Sequence, residues 1–365
     1  MKKVVIMYLL WSNEPMRYLT DAIRGVAAQS YPREGLEFLI VYNSHKPDEP
    51  SAVPYIRSEI EKNSAHLPHT TIIENDKNLG FSGGNNFGMR WAVEHGFDYV
   101  FLHNGDGYLG ENCVKALVEV MDADPKIGAA QSLVLLHPAV DSINSAGNCL
   151  HFLGFGYCDF YKKKKNEVVL PAVKDVAYAS GAAIMMRTDL LQKFGYWDED
   201  YFMYHEDTDY SLRLFTAGYR NVMVKASEFF HKYEFSKSIS KYFWMERNRY
   251  AILLLFFSCP TLILILPMFI VMEIALWFFA WRGGWVGEKW KVYKYWLKWG
   301  SWKFWLVKRR KLMADRVTSD RKLLRAMVAV IKFQEAAIEN PVLKYIGNPV
   351  MFVYYWLLSR VVVWW

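Results

Sequence analysis

Cysteine is scarce and unpatterned. Cys113, Cys149, Cys158 and Cys259 show no CxxC or other paired spacing, which sets aside a zinc ribbon and a disulfide framework and favours reduced thiols in a cytosolic setting. The apolar run Val4-Val5-Ile6-Met7-Tyr8-Leu9-Leu10 lacks a small-residue cleavage site, since Trp11-Ser12-Asn13-Glu14 follows it. It reads as a first buried strand rather than a signal peptide. The glycine-rich turn at residues 78–88 lacks both the dinucleotide fingerprint and the lysine of a phosphate loop. No internal repeat is visible. Charge is missing altogether from residues 250–272, and Glu273 is the only charged residue before Arg282. Acids are nearly missing from residues 282–325, where three face fourteen Lys and Arg.

These last two absences shape the rest of the reading. The chain of 365 residues has room for one large domain or two ordinary ones. Its 53% hydrophobic and 17% aromatic content is high for a soluble enzyme and implies a membrane component. The formal charge of +7 is local, because residues 282–325 carry an excess of eleven positive charges and the remainder is net negative. An uncharged stretch of 23 residues, at about 1.5 Å per residue, suffices for a bilayer core of ~30 Å. Pro260 and Pro267 should break or kink such a helix, so a re-entrant hairpin competes with a simple span, and a buried core helix pair is the other reading. Residues 285–305 interleave six tryptophans with lysine, as in a helix at the headgroup level. The neighbouring apolar segment favours this over nucleic-acid binding, and no nucleic-acid partner is expected. Residues 349–365 look like a further anchor, and the lysines at 162–165 like a solvated loop. The implied division is 1–249, a catalytic unit; 250–281, a hydrophobic membrane segment; and 282–365, a basic, Trp-rich amphipathic helical region.

In the first unit, short apolar runs at residues 3–10, 37–42, 70–74 and 98–103 alternate with helical spacing at 15–29, 55–63 and 85–95. That alternation predicts an α/β, doubly wound, mostly parallel sheet. Beyond it, a helix near 111–122 and a strand near 174–187 are expected. Asn104-Gly105-Asp106 closes the strand at 98–103, where open α/β sheets bind ligands, and a carboxylate there suits a hard divalent cation. An ordinary turn is the plainer alternative. Gly80, Gly83 and Gly84 would admit a close ligand at the start of the next helix, or simply make a tight connection. Glu206-Asp207-Thr208-Asp209 places three carboxylates within four residues. Asp209 can cap its helix and pair with Arg213, leaving Glu206 and Asp207 crowded enough to shift a pKa and serve as a base. His231, after an apolar pair, is by itself more often structural than a ligand.

Taken in order, Asn78-Leu79-Gly80-Phe81-Ser82-Gly83-Gly84-Asn85-Asn86-Phe87-Gly88, Asn104-Gly105-Asp106, Ser180-Gly181-Ala182, Glu206-Asp207-Thr208-Asp209 and His231 resemble the family 2 glycosyltransferases, especially rhamnosyltransferase-like members, over about residues 3–250. The resemblance implies a GT-A fold and inverting transfer from a nucleotide-diphospho-sugar. The hydroxyl attacked would belong to a lipid-linked or cell-envelope glycan, at the cytoplasmic face of the membrane. Asp207 resembles the catalytic base, with Glu206 and Asp209 as supporting positions of the catalytic group. Asp106 resembles the metal-binding aspartate of an Asp-any-Asp motif whose first position is Asn104 here, and His231 the downstream ligand of Mg²⁺ or Mn²⁺. Asn78, Gly80, Gly83, Gly84, Asn85, Asn104 and Asp106 fall on the donor side, as does Asn43, although Tyr42-Asn43-Ser44 departs from the usual donor-base segment. Gly181 and Trp197 fall on the acceptor side, and Arg247-Asn248 resembles a pair at the domain's end. A sugar nucleotidyltransferase, or a non-catalytic membrane scaffold with a decayed transferase domain, is the alternative.

Overall fold

The computed structural model describes residues 1–11, 15–43, 51–232, 241–332 and 341–362. Ser44 and the terminal residues 363–365, part of the motif and anchor discussed above, lie outside the described residues. The chain begins with the expected alternation: β1 (Val4–Leu10), α1 (Met16–Ala27), β2 (Leu36–Tyr42), α2 (Val53–Asn63), β3 (His69–Glu74), α3 (Gly80–Glu94) and β4 (Tyr99–His103). It continues through β5 (Gly107–Leu109), α4 (Cys113–Ala123), β6 (Ile127–Leu136), β7 (Ile143–Ser145), β8 (Asn148–Leu150), β9 (Gly156–Cys158), β10 (Val173–Asp175) and β11 (Ala183–Arg187). Then come α5 (Thr188–Phe194), α6 (Glu206–Thr216) and β12 (Arg220–His231). Helices follow: α7 (Tyr242–Phe256), α8 (Cys259–Arg282), α9 (Val286–Trp296), α10 (Trp299–Ala314), α11 (Asp320–Arg325) and α12 (Asn348–Val361).

The main sheet runs β10-β12-β6-β11-β4-β1-β2-β3. Strands β3, β2, β1 and β4 are parallel; β11 is antiparallel to both β4 and β6, while β12 is parallel to β6. Strand β1 shows why its sequence is an unbroken apolar run. Val4, Ile6, Tyr8 and Leu10 enter one core with α1 and α4, while Val5, Met7 and Leu9 enter another with α3, α5 and α6. Period-two geometry turns alternate residues to opposite faces, and both faces are covered. A third core joins Leu150, Phe152 and Leu153 to α7 and the C-terminal helices.

Four sequence expectations shift. The helix expected at 85–95 begins at Gly80, so the glycine-rich motif is helix rather than turn. A side chain at Gly88 would reach within 1.9 Å of Met7 Sδ, and one at Gly84 within 2.7 Å of Leu9 Cδ1. These glycines let α3 lie directly on β1. The strand expected at 174–187 is two strands, β10 and β11, separated in the sheet by β12 and β6. The uncharged stretch from 250 is divided: residues 250–256 end the buried helix α7, and α8 starts after a break at Phe257. Pro260 sits in the first turn of α8, where the missing N–H costs nothing, and the helix continues through Pro267. Residues 285–305 form parts of two helices whose tryptophans divide, Trp296 and Trp305 being buried and Trp299 exposed.

Candidate active site

The functional candidates converge at the carboxyl ends of β4, β12 and the parallel strands. Asn104 donates from its backbone N–H to Ala182 O (3.0 Å), tying the turn after β4 to the loop before β11. In that loop, Gly181 N–H donates to Asp207 Oδ2 at 3.0 Å. The Asn104-Gly105-Asp106 turn and the first turn of α6 are thus joined through one short loop. A Cβ at Gly181 would stand 2.9 Å from the Trp197 ring and 3.6 Å from Asp207 Cβ. Gly181, Trp197 and Asp207 are therefore immediate neighbours.

Asp106 Oδ1 receives the Asn104 side-chain amide at 2.7 Å and lies 2.8 Å from His231 Nε2. The other ring nitrogen of His231 lies 3.1 Å from Asn144 Oδ1, which orients the imidazole toward the aspartate. Burial pushes the Asp106 carboxyl up, but the charge and hydrogen bond of His231 outweigh it and hold the carboxyl below its ordinary range. Among the described residues, no three His, Cys, Asp or Glu side chains gather as a cage for a metal. Asp106 and His231 form a hydrogen-bonded pair instead. Such a pair fits a cation whose other positions are taken by phosphate oxygens and water.

The three carboxylates of α6 have different surroundings. Asp207 accepts at Oδ1 from its neighbour Thr208, through N–H (2.6 Å) and hydroxyl (3.2 Å), and at Oδ2 from Gly181. Burial raises its pKa, these hydrogen bonds oppose the rise, and the carboxyl remains above its ordinary value. Glu206 is buried, and its Oε2 has no hydrogen-bond partner among the described residues. Burial first, and the adjacent Asp207 charge second, push it up to about 8. Asp209 differs in being paired with a cation, the Arg213 expected as its partner. Arg213 Nε donates to Oδ2 at 2.8 Å and the Tyr201 hydroxyl to Oδ1 at 3.3 Å. Arg213 also holds the carbonyls of Phe194 and Tyr196, so Asp209 anchors its helix rather than facing a substrate.

On the donor side, Asn43 is a knot. Its amide donates to Gly80 O (2.9 Å) and Asn78 Oδ1 (3.3 Å), and its Oδ1 accepts from Asn75 Nδ2 (3.0 Å) and Leu79 N–H (3.1 Å). It positions the start of α3 and has little left to offer a ligand. Asn85 is similarly turned inward, donating to Phe81 O. Gly83 packs on Leu79 and Gly84 on Leu9 and Asn43, so close packing accounts for both. Gly80 has φ of +72°, and Phe202 overhangs it, with ring atoms 3.2 Å from where its Cβ would be. Trp197 is buried beneath the site, held by Asn86, which accepts from its N–H and donates to its carbonyl. Its place is beneath the loop that carries Gly181.

Sequence reasoning missed the device that aims α6. Phe202, Tyr204 and His205 all have left-handed backbones, with φ of +63°, +64° and +70°, a costly run for residues other than glycine. The Asn248 amide spans it, donating to the carbonyls of Tyr201 (3.1 Å), Met203 (2.9 Å) and Tyr204 (2.7 Å). Arg247 donates to Asp200 O and Tyr201 O and lies over Trp244 and Trp305. Lys308 of α10 pairs with Asp198 and Asp200 at 2.5 Å. The C-terminal helices therefore brace the segment that presents Asp207. The signal in sequence was the Arg247-Asn248 pair, with nothing to say what it holds.

Residues 10–250 match the model described as glycosyltransferase like family 2. The chain belongs to this family. It is 28% identical over 146 residues to the N-acetylglucosaminyl-diphospho-decaprenol L-rhamnosyltransferase of Mycobacterium tuberculosis, covering 37% of this chain and 47% of that protein. It is 23% identical over 209 residues to the low-salt glycan biosynthesis hexosyltransferase Agl10 of Haloferax volcanii, covering 55% and 58%. The chain thus spans about half the length of the curated relatives it matches. Among solved structures, GalNAc-T7 with UDP, GalNAc and Mn²⁺ aligns with a TM-score of 0.53 at 14% identity, over 70% of this chain and 48% of that one. S. aureus TarS aligns at 0.50 and 15%, over 98% and 55%. Likeness at these identities is one of fold, and that fold is the GT-A type. The family is the one that the motif order implied.

Proposed function

We propose that this glycosyltransferase moves a sugar from a nucleotide-diphospho-sugar to a hydroxyl of a lipid-linked or cell-envelope glycan, with inversion, at the cytoplasmic face of a membrane. The observation that carries the reading is the Gly181 N–H to Asp207 Oδ2 bond, which sets one carboxylate of the α6 cluster beside the Asp106 turn. Asp207 takes the proton of the acceptor hydroxyl as that oxygen attacks the anomeric carbon, and the nucleoside diphosphate departs on the opposite side. Glu206, protonated up to about pH 8, keeps a second negative charge away from Asp207 and lets it act as the ionised partner. Gly181 and Trp197 shape the acceptor side, while Asn78, Gly80 and Asn104 shape the donor side. Asp106 and His231 would hold Mg²⁺ or Mn²⁺, which when bound offsets charge on the diphosphate. The donor relation is supported by the family, and the lipid-linked acceptor by the name of the mycobacterial relative.

The test is to incubate the protein with a panel of nucleotide sugars and lipid-linked acceptors, and to follow nucleoside diphosphate release and the anomeric configuration of the product. Inverted product with released diphosphate is expected. Release of inorganic pyrophosphate, or retained configuration, would overturn the reading. Undiminished transfer in the presence of a chelator would remove the role given to Asp106 and His231.

A further inference from the structure

We infer that α8 and α12 form a platform seated in one leaflet of an anionic membrane, so that α8 lies along the lipid surface rather than crossing it. The inference deepens the membrane attachment proposed above. Among the described residues, α8 is the one helix long and apolar enough to span a bilayer. Its two faces nevertheless differ in what covers them. Thr261, Ile265, Met268 and Met272 are buried against the protein, whereas Ile263, Ile270, Ile274 and Phe278 are exposed. Those exposed positions recur at intervals of seven, four and four, one stripe of a helix. A spanning helix would need lipid or partner helices on every side.

Glu273 decides against detachment from the catalytic unit. It sits on the covered face, where it meets Arg249 and Tyr250 of α7 and Lys289 and Tyr293 of α9. Arg249 and Lys289 are themselves fully buried, and Glu246 of α7 completes the cluster by pairing with both. Rotating α8 upright into a bilayer would strip two buried cations of a counter-charge and place Glu273 in hydrocarbon, both strongly unfavourable. The cluster pins α8 flat against the domain that carries the site.

The exposed stripe is extended by α12, which packs on α8 with the Tyr354 hydroxyl donating to Leu264 O at 2.5 Å. Val353, Trp356 and Leu357 of α12 are also exposed. Lipid is the occupant that the neighbouring charge selects. Lys294, Lys298, Lys303, Arg310 and Lys311 of the α9–α10 region are exposed among exposed Leu297, Trp299 and Val307. Basic side chains interleaved with tryptophan match a headgroup layer of negative charge. Because α10 also braces the segment before α6 through Lys308, the platform holds the active site at the height of a lipid-linked acceptor's headgroup.

The experiment has two arms, neither of which requires sugar transfer. In the first, the full chain is mixed with vesicles of phosphatidylcholine alone or with added phosphatidylglycerol. Binding is expected only with phosphatidylglycerol. Ile270→Glu and Val353→Glu, both at exposed positions, should each weaken it about tenfold while leaving the circular dichroism unchanged. Absent binding, or binding indifferent to both substitutions, would overturn the proposal. In the second, sealed inverted membrane vesicles from expressing cells are treated with an impermeant thiol reagent. Cys259 at the start of α8, and Arg282→Cys at its end in a Cys259→Ser background, should both react without permeabilisation, as mapped at each site by mass spectrometry. Protection of one end until detergent is added would establish a span and overturn the platform. Transfer to a detergent-solubilised acceptor, measured separately, reports on the transferase reading alone.

Discussion

Two clusters of buried charge stand close in sequence and behave in opposite ways. Around Glu206 and Asp207, carboxylates adjoin with no cation bonded to either among the described residues, and burial raises both pKa values. Around Glu246 and Glu273, two carboxylates meet Arg249 and Lys289. Burial there also acts to raise Glu246, yet the two cations outweigh it and its pKa falls below the ordinary range. Desolvation is common to both clusters, so compensation is what separates them. A balanced cluster fastens helices together; an unbalanced one stores the electrostatic stress from which a proton acceptor can be made.

That contrast can be broken at several points. The largest effect is expected from Arg249→Met, which leaves Glu246 and Glu273 short of a cation. Urea denaturation should show a loss of about 3–5 kcal/mol; a loss below 1 kcal/mol would mean that the cluster pins nothing. Asn248→Ala should be intermediate. It frees three carbonyls of the left-handed run at about 1–3 kcal/mol, and kcat should fall more than donor affinity, because Asp207 loses its aim. Equal falls in kcat and stability-corrected affinity would reduce Asn248 to a structural role. Glu206→Gln sharpens the comparison through pH. The raised pKa of Glu206 means that its contribution to stability is full below about 4.5, its ordinary value, and is lost as pH rises through about 8. The wild-type Tm should therefore decline relative to the variant's between pH 5 and 8, and parallel profiles would contradict the burial of a protonated Glu206.

Much of the catalytic unit was legible because its physics is local. Strands buried on both faces must be apolar throughout, as β1 is, and alternation with helices then leaves few topologies. The motif order likewise identified the family. Roles that depend on distant partners were not legible. Asn43, Gly83 and Gly84 read as donor contacts, but a knot to Asn75 and close packing on Leu9 and Leu79 account for them. Arg213 was legible as the partner of Asp209 four residues before it, whereas Tyr201 on the same carboxylate was not. In the C-terminal third, composition could not say which side of α8 would be covered. Glu273 looked like a lone acid in an apolar helix, and its partners lie 24 residues before it and 16 after. Of the six tryptophans expected at a headgroup layer, Trp296 and Trp305 are buried instead, and Trp305 packs against Tyr201 in the strained segment before α6.

The central claim is that the uncompensated carboxylate Asp207 does the chemistry. Its most direct test compares Asp207→Asn with the wild type for donor binding and for sugar transfer under single-turnover conditions. Donor affinity should hold and transfer should fall by about 10²- to 10⁴-fold, with Tm unchanged or raised because a buried carboxylate has been removed. Transfer near the wild-type rate would contradict the account.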